Sequence, residues 1–251
     1  MAIFSFTGQV LPRIVNLDIQ PISEAKWDIP EVNSVVTFKT SIKNSVVSVI
    51  VDTPVFRDSD MPIYYIRAMD LARAMADTCG FTMGTAFTVF IDKMKYPNGV
   101  ESSLLFEDKS LRALCTSYAL DNIVPALNVI NSDPAIFMAL NDLMMSITLP
   151  HHAAFNLARA VEGIRHIIAG PGTDSQKAWP IMQNALNVDA DYLRLMTSIS
   201  TQPRHGHRVH ITGATATEAT HRTWIVMDRF MHYRMGGNVQ LDLVKFPLLT
   251  G

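Results

Sequence analysis

The feature that most constrains the fold is a change in hydrophobic periodicity near residue 110. Before this point, apolar residues recur at every second position in several short runs, a pattern typical of strands with one buried face. After it, they recur at intervals of three and four, which is typical of amphipathic helices. The sequence therefore predicts an α+β protein, with a β-rich domain over 1–110 that includes at least one helix, followed by an all-helical domain over 111–251.

Turn residues locate the elements of the β-rich domain. Alternating runs on either side of 43–45 predict one hairpin, and runs on either side of Asn98-Gly99 predict a second, because Asn-Gly supplies the positive φ angles that tight turns require. Between the hairpins, the spacing of apolar residues predicts a helix over 64–78. Gly80 is expected to end that helix.

The second domain is expected to consist of helices alone. The periodic segments cover about 117–130, 134–148, 151–169, 175–186, 189–199 and a last one opening at Thr215. Thr215 and Glu218 have the spacing of a capping box. Methionines at helical spacing, such as Met138 and Met231, indicate a core or a dimer interface.

Composition narrows the class of protein. The formal net charge of −2 argues against a chain coated in nucleic acid, although a local basic cleft remains compatible with it. The two cysteines are too few to cross-link a chain of this size, which indicates a reducing, cytoplasmic compartment. The N-terminus has no signal-peptide pattern, and no apolar run approaches the roughly 20 residues that span a membrane. We expect no membrane partner.

Reactive side chains are concentrated in residues 204–210, whose sequence is Arg-His-Gly-His-Arg-Val-His. Histidine changes protonation near neutral pH, and arginine binds phosphate or carboxylate oxygens through paired hydrogen bonds. One interpretation is a polar network between two helices. A second is a zinc site, because the segment resembles the H-x-H-x-D-H motif of the metallo-β-lactamase fold, with Val209 in the place of the aspartate and His221 and His232 as further ligands.

The third interpretation is cleavage of RNA without a metal. A base removes the proton of the ribose 2′-hydroxyl, an acid protonates the departing 5′-oxygen, and a cation stabilises the charge that develops on the phosphoryl oxygens. An arginine and a histidine a few residues apart supply these groups. Arg204 and His210 are separated by five residues.

This spacing resembles the R-x4–6-H motif of the HEPN superfamily, whose domain is an all-helical bundle, and the resemblance covers about 150–235. It implies an endoribonuclease that needs neither metal nor cofactor, of the kind found in defence or toxin systems. Arg204, His210 and His205 would be catalytic, and Arg208 and His207 would bind substrate. HEPN ribonucleases commonly dimerise, so the resemblance also implies a homodimer formed through the helical domain.

Glu162 and Arg165 are the supporting residues that the resemblance implies, with Glu162 orienting a catalytic histidine. From spacing alone, Glu162 with Arg159, Arg165 and His166 indicates a surface or inter-helix ion network. Gly206 and the stretch 212–215 predict a loop at the motif, where many HEPN ribonucleases continue a helix.

The leading hypothesis for the chain is thus a metal-independent endoribonuclease acting on RNA. The alternatives are a HEPN-like binding or scaffold protein without activity and a zinc-dependent hydrolase. The β-rich domain is expected to serve as a sensor, a substrate module or a site for a protein partner.

Overall fold

The computed structural model describes residues 2–21, 24–104, 111, 123–205, 211 and 213–251. An antiparallel sheet and one long helix come first, and the described elements that follow are helices, so the predicted α+β class is confirmed. The chain divides into two compact units, Met1–Glu107 and Asp108–Gly251. Within the described residues, no helix combines the length and the apolar character needed to cross a bilayer.

Six strands make up the sheet in the described part of the first unit. They are β1 (Ala2–Leu11), β2 (Ala25–Ile29), β3 (Ser34–Lys43), β4 (Val46–Thr53), β5 (Thr88–Lys95) and β6 (Glu101–Ser103). They pair antiparallel in the order β2-β3-β4-β1-β5-β6. Both predicted hairpins are confirmed. Asn44 and Ser45 turn the first with φ angles of 50° and 60°, and Gly99 turns the second with a φ of 83°.

Helix α1 (Met61–Met83) packs on one face of this sheet and forms the core of the first unit with it. The buried strand residues alternate, as Phe4, Phe6 and Val10 do in β1. Tyr64 is fully buried at the start of the helix, and its hydroxyl lies 3.3 Å from Oγ1 of Thr53 in β4. The side chains of the opposite sheet face are exposed or half-buried.

A bulge interrupts β5 where it pairs with β1. The register shifts between Thr7 and Gly8, whose partners are Lys93 and Ile91, so Asp92 is an extra residue in β5. Ile91 and Met94 are therefore both buried although they lie three residues apart. Gly8 is required at this point, since a Cβ atom there would overlap the backbone oxygen of Phe90.

The predicted end of α1 at Gly80 is wrong. Gly80 lies inside the helix, where a Cβ atom would come within 2.6 Å of the Thr85 carbonyl oxygen, so the residue serves close packing. The helix continues to Met83 and ends at Gly84, which has a left-handed φ of 67°.

The described helices of the second unit are α2 (Val124–Asn131), α3 (Pro134–Thr148), α4 (Ala153–Ala169), α5 (Ser175–Leu186), α6 (Ala190–Arg204) and α7 (Gly213–Met235). The side chains of Asp133, Asp174 and Asp189 accept hydrogen bonds from backbone N–H groups at the starts of α3, α5 and α6. Helix α4 is central and packs against α3, α5, α6 and α7. The predicted start of α2 near residue 117 lies outside the described residues.

Helix α7 begins earlier than predicted. Its first residue is Gly213, so Thr215 lies inside the first turn and the predicted capping box is wrong. Glu218 instead accepts a hydrogen bond of 2.7 Å from Nε of Arg222, one turn later. Residues 213–215 are therefore helical, and the loop predicted over 212–215 is wrong for these three. Small residues such as Ala214 and Ala216 favour the helix here.

Arg229 of α7 is a cation inside the core of the second unit, with only 5% of its surface exposed. Its Nη1 donates to the carbonyl oxygens of Leu186 and Asn187, at 2.8 Å and 2.7 Å. Its Nη2 donates to the carbonyl oxygen of Pro247 at 2.7 Å. Three backbone acceptors thus replace the water that a buried guanidinium loses.

The segment 236–251, after α7, is bound to the end of α5. Asn187, which follows α5 with a left-handed φ of 51°, donates from Nδ2 to the carbonyl oxygens of Leu241 and Phe246 at 2.8 Å and 3.0 Å. The backbone of Leu249 donates to the Asn187 carbonyl at 2.9 Å and accepts from Asp189 at the same distance. These contacts make the segment part of the second unit.

Candidate active site

The candidate site is built around the end of α6, where an arginine contacts a carboxylate on α4. Nη1 of Arg204 lies 2.9 Å from Oε1 of Glu162, and each side chain is 32% exposed. A cation and an anion predicted from separate parts of the sequence, 42 positions apart, are thus brought into direct contact. The pair joins two packed helices and is open to solvent on one side.

Arg204 is the last residue of α6 and does not lie in a connector, which corrects the predicted end of that helix near Ile199. The helix passes through Ser200 and Thr201, whose hydroxyl groups donate to the Thr197 carbonyl oxygen within the same helix at 2.8 Å and 3.3 Å. Pro203 lies in the last turn, where it removes a single backbone hydrogen bond.

His205 follows directly as the C-terminal cap of α6, and its backbone N–H donates to the Gln202 carbonyl oxygen at 3.0 Å. The side chain of His205 is exposed. His207, Arg208 and His210 lie outside the described residues, so their predicted roles remain predictions. The structure therefore brings together Arg204, Glu162 and the backbone of His205.

The ion network predicted along α4 is rearranged in the structure. Arg159 pairs with Asp142 of α3, with Nε 3.3 Å from Oδ2, and its guanidinium lies over the ring of Phe155. Burial raises the pKa of the Asp142 carboxyl, and the cation beside it acts in the opposite direction. Glu162 has an inter-helix contact, to Arg204, in place of contacts within its own helix.

Arg165, predicted to support the site, contacts α5. Its Nη1 donates to the Ser175 hydroxyl at 2.7 Å, and its guanidinium lies 4.7 Å from the ring centroid of Trp179. Its buried Nε has no hydrogen-bond partner among the described residues. Arg165 therefore fixes α5 against α4, the helix that carries Glu162.

Sequence reasoning missed a second group of polar residues, between α6 and α7. The guanidinium of Arg222 lies 4.9 Å from the ring centroid of Tyr192 and donates to the Tyr192 carbonyl oxygen at 3.3 Å. Burial raises the pKa of Tyr192 to about 12, so its hydroxyl stays protonated at neutral pH. The signal in the sequence was the spacing of four between Glu218 and Arg222.

Within the described residues, no group of three or more His, Cys, Asp or Glu side chains is arranged to hold a metal ion. Two of the three histidines that define the zinc interpretation, His207 and His210, lie outside that part of the chain. The zinc alternative therefore remains a prediction.

These features define a two-unit α+β protein whose helical unit carries an arginine–carboxylate pair beside a histidine. Residues 4–105 match the family model of the N-terminal domain of DUF8168, a domain of unknown function, and residues 123–235 match the family model of its C-terminal domain. No match was found among curated proteins or among solved structures.

Proposed function

We propose that the helical unit is a metal-independent endoribonuclease of HEPN type. The observation that supports this proposal is the Arg204–Glu162 pair, which holds a guanidinium at the end of α6 directly before the histidine-rich segment. An arginine held by a carboxylate keeps its remaining N–H donors in a fixed plane, the arrangement that binding of phosphate oxygens requires.

In the proposed reaction, Arg204 binds the scissile phosphate and stabilises the charge that develops on its oxygens. His210 transfers the proton as general base or acid, and His205 assists from the adjacent position. Arg208 and His207 bind the RNA on either side. A positioned acid or base accelerates such reactions by about 10²- to 10⁴-fold, and an aimed cation adds its own share.

The role proposed for Glu162 is to position Arg204. A free arginine side chain samples many rotamers, and ordering it costs up to about 2 kcal/mol. The Glu162 carboxylate, 2.9 Å from Nη1, already orders the Arg204 side chain in part, so less of this cost remains when the substrate binds. Arg165 supports the same helix through its contact with α5.

The rival proposal is a scaffold without activity, and one observation favours it. The Arg204–Glu162 contact joins α4 to α6, so it has a structural explanation that needs no substrate. Its stabilising effect is small, however, because ion pairs this exposed contribute about 0–1 kcal/mol. Loss of the pair is therefore expected to change stability little, so the cleavage assay reports on the role of Arg204 directly.

We further propose that the protein forms a homodimer through the helical unit, which would bring two copies of the motif into one cleft. The support is a set of apolar side chains that helices α2 and α3 leave exposed: Val124, Leu127, Phe137 and Met138, at 61%, 45%, 56% and 55%. Assignment to a defence or toxin system follows the HEPN resemblance and belongs to the same proposal.

The proposed activity is tested by incubating the purified protein with RNA and excess EDTA. Cleavage is expected to persist in the chelator and to fall by about 10²-fold or more in both Arg204→Ala and His210→Ala. Arg194→Ala is the matched control, because Arg194 is an exposed arginine of the same helix that pairs with Asp191 at 2.6 Å.

The other outcomes separate the rivals. Cleavage that EDTA abolishes supports the zinc hydrolase. Cleavage that is lost equally in Arg194→Ala contradicts a specific role for Arg204. If wild-type protein cleaves neither structured nor single-stranded RNA, and an excess of RNA does not protect Arg204 from chemical modification, the scaffold proposal stands.

A further inference from the structure

The face of the sheet opposite α1 carries an organised set of side chains. The strand register aligns Lys39 (β3), Ile50 (β4), Ser5 (β1) and Lys95 (β5) in one row across four strands. The next row contains Ser41, Ser48, Thr7 and Lys93, and a third contains Lys43, Val46, Gln9 and Phe90. Lysines therefore lie along both sides, on β3 and β5, and hydroxyl and apolar side chains lie between them together with Gln9.

The dimensions of this face suit one extended chain. Strands β3 and β5 are three inter-strand steps apart, which places the two lysine rows about 14 Å from each other. The strip between them, on β4 and β1, has short side chains at Ser5, Thr7 and Ser48 and larger ones at Val46, Ile50 and Gln9.

The charge of the face contrasts with that of the chain. Its four central strands present four lysines outward, with Asp52 in a row beyond them and Glu101 of β6 as the register partner of Lys95, whereas the whole chain has a formal net charge of −2. Lys39 is paired with Glu24 at 2.7 Å. Lys43, Lys93 and Lys95 are exposed.

Phe90 gives the face a second property. Phe90 is 52% exposed at the β5 end of its row, on the same strand as Lys93 and Lys95. An exposed aromatic ring beside a row of cations is the combination that binds single-stranded nucleic acid, since bases stack on the ring while lysines attract phosphates.

We propose that this open sheet face binds single-stranded RNA. A base stacks on Phe90, and the phosphates run past Lys93 and Lys95 toward the lysines of β3. This proposal extends the proposed function, because the statement that the bound RNA is a substrate rests on the ribonuclease activity. The statement that the face binds RNA does not rest on that activity, because binding involves the first unit alone.

The test is the affinity for a fluorescein-labelled single strand of about 16 nucleotides, the upper end of site sizes for sheet platforms. A 2′-O-methyl oligouridine is used, since it lacks the hydroxyl that cleavage requires, and binding is then measured independently of activity. Lys93→Glu with Lys95→Glu is expected to weaken binding at least about tenfold and to reduce the slope of log K against log salt by about 1.4, about 0.7 per lost phosphate contact.

The stacking contact is tested separately by Phe90→Ala, with an expected loss of about fivefold or more in affinity. Phe81→Ala is its matched control, because Phe81 is 89% exposed on α1, which covers the other side of the sheet. Lys177→Glu with Lys245→Glu is the charge-matched control for the lysine pair, and both controls are expected to bind as wild type.

Three results would overturn the proposal: wild type that does not bind at low salt, controls that lose as much affinity as the test variants, or duplex RNA and polyglutamate that bind as tightly as the single strand. Circular dichroism of each variant excludes unfolding as the cause of a loss. Loss of cleavage in Arg204→Ala with unchanged binding of the 2′-O-methyl strand separates the two proposals.

Discussion

Arg204 and Arg229 lie on neighbouring helices of the second unit and differ sharply in exposure. Arg204 is about one-third exposed and contacts one carboxylate, whereas Arg229 is buried and donates to three carbonyl oxygens. Removal of a buried donor leaves its acceptor oxygens without a hydrogen bond, whereas the acceptors of an exposed donor can bond to water. Substitution of Arg204 is therefore expected to affect binding more than stability, and substitution of Arg229 the reverse.

Arg229→Met is expected to lower the free energy of unfolding of the second unit by about 3 kcal/mol. Methionine fills a similar volume, but the carbonyls of Leu186, Asn187 and Pro247 lose their donor in a place that water does not reach freely. Urea denaturation followed by circular dichroism measures the change. Arg234→Met is the control, because Arg234 is half-buried on the same helix and donates to the side chain of Asn238, and equal losses in the two variants would contradict this account.

Among the elements, two helices that begin after a capping aspartate were predicted to the residue. Asp133-Pro134 and Asp174 mark the starts of α3 and α5, and both helices have the predicted bounds. The ends of α1 and α6 were missed for a common reason. Gly80 indicates a helix end, but its lack of a side chain lets the Thr85 carbonyl oxygen pack closely against α1. The hydroxyl groups of Ser200 and Thr201 bond within α6 beyond its predicted end. Such contacts depend on neighbours that a local pattern does not show.

The exposed apolar surface of α2 and α3 leads to a prediction about assembly. Leu127→Glu with Phe137→Glu is expected to convert a dimer into a monomer, because a carboxylate buried in an apolar interface without a partner is strongly unfavourable. Light scattering after size-exclusion chromatography gives the mass directly. Phe81→Glu, at an exposed position of the first unit, should leave the mass unchanged, and a monomeric wild type would contradict the proposed dimer.

For the whole molecule, stability is expected to depend on pH through His232, whose ring packs 4.7 Å from that of Phe246 in the C-terminal segment. Burial lowers the pKa of His232 below its ordinary value of 6.5, and Asp228 opposes the shift. The unfolded chain then binds the proton more readily than the folded one. The contribution is therefore complete above pH 6.5 and decreases as the pH falls from there toward the lowered pKa.

Melting temperatures between pH 8 and pH 5 test this dependence. His232→Phe keeps an aromatic ring against Phe246 and removes the titration, so its melting temperature is expected to fall less on acidification than that of wild type. His152→Phe, at an exposed position before α4, is the control and should follow wild type. Parallel curves for all three proteins would contradict the role of His232.

The candidate site could be predicted only in part from sequence, and the reason differs among its residues. Arg204 and His205 were found because reactive side chains cluster along the chain. The contact of Arg204 with Glu162 joins residues 42 positions apart, which only the packing of α4 against α6 determines. The row formed by Ser5, Ile50 and Lys95 likewise depends on strand register, which no single strand encodes.

The bulge in β5 bears on how the open face keeps its chemical character. In a regular strand, Ile91 and Met94 would point to opposite sides, and one of them would leave the core. Because Asp92 is accommodated as an extra residue, both stay inside while Lys93 and Lys95 stay outside. Gly8 on the neighbouring strand makes room for this arrangement. Which side of the sheet carries these lysines thus depends on one extra residue in β5 and on the glycine opposite it.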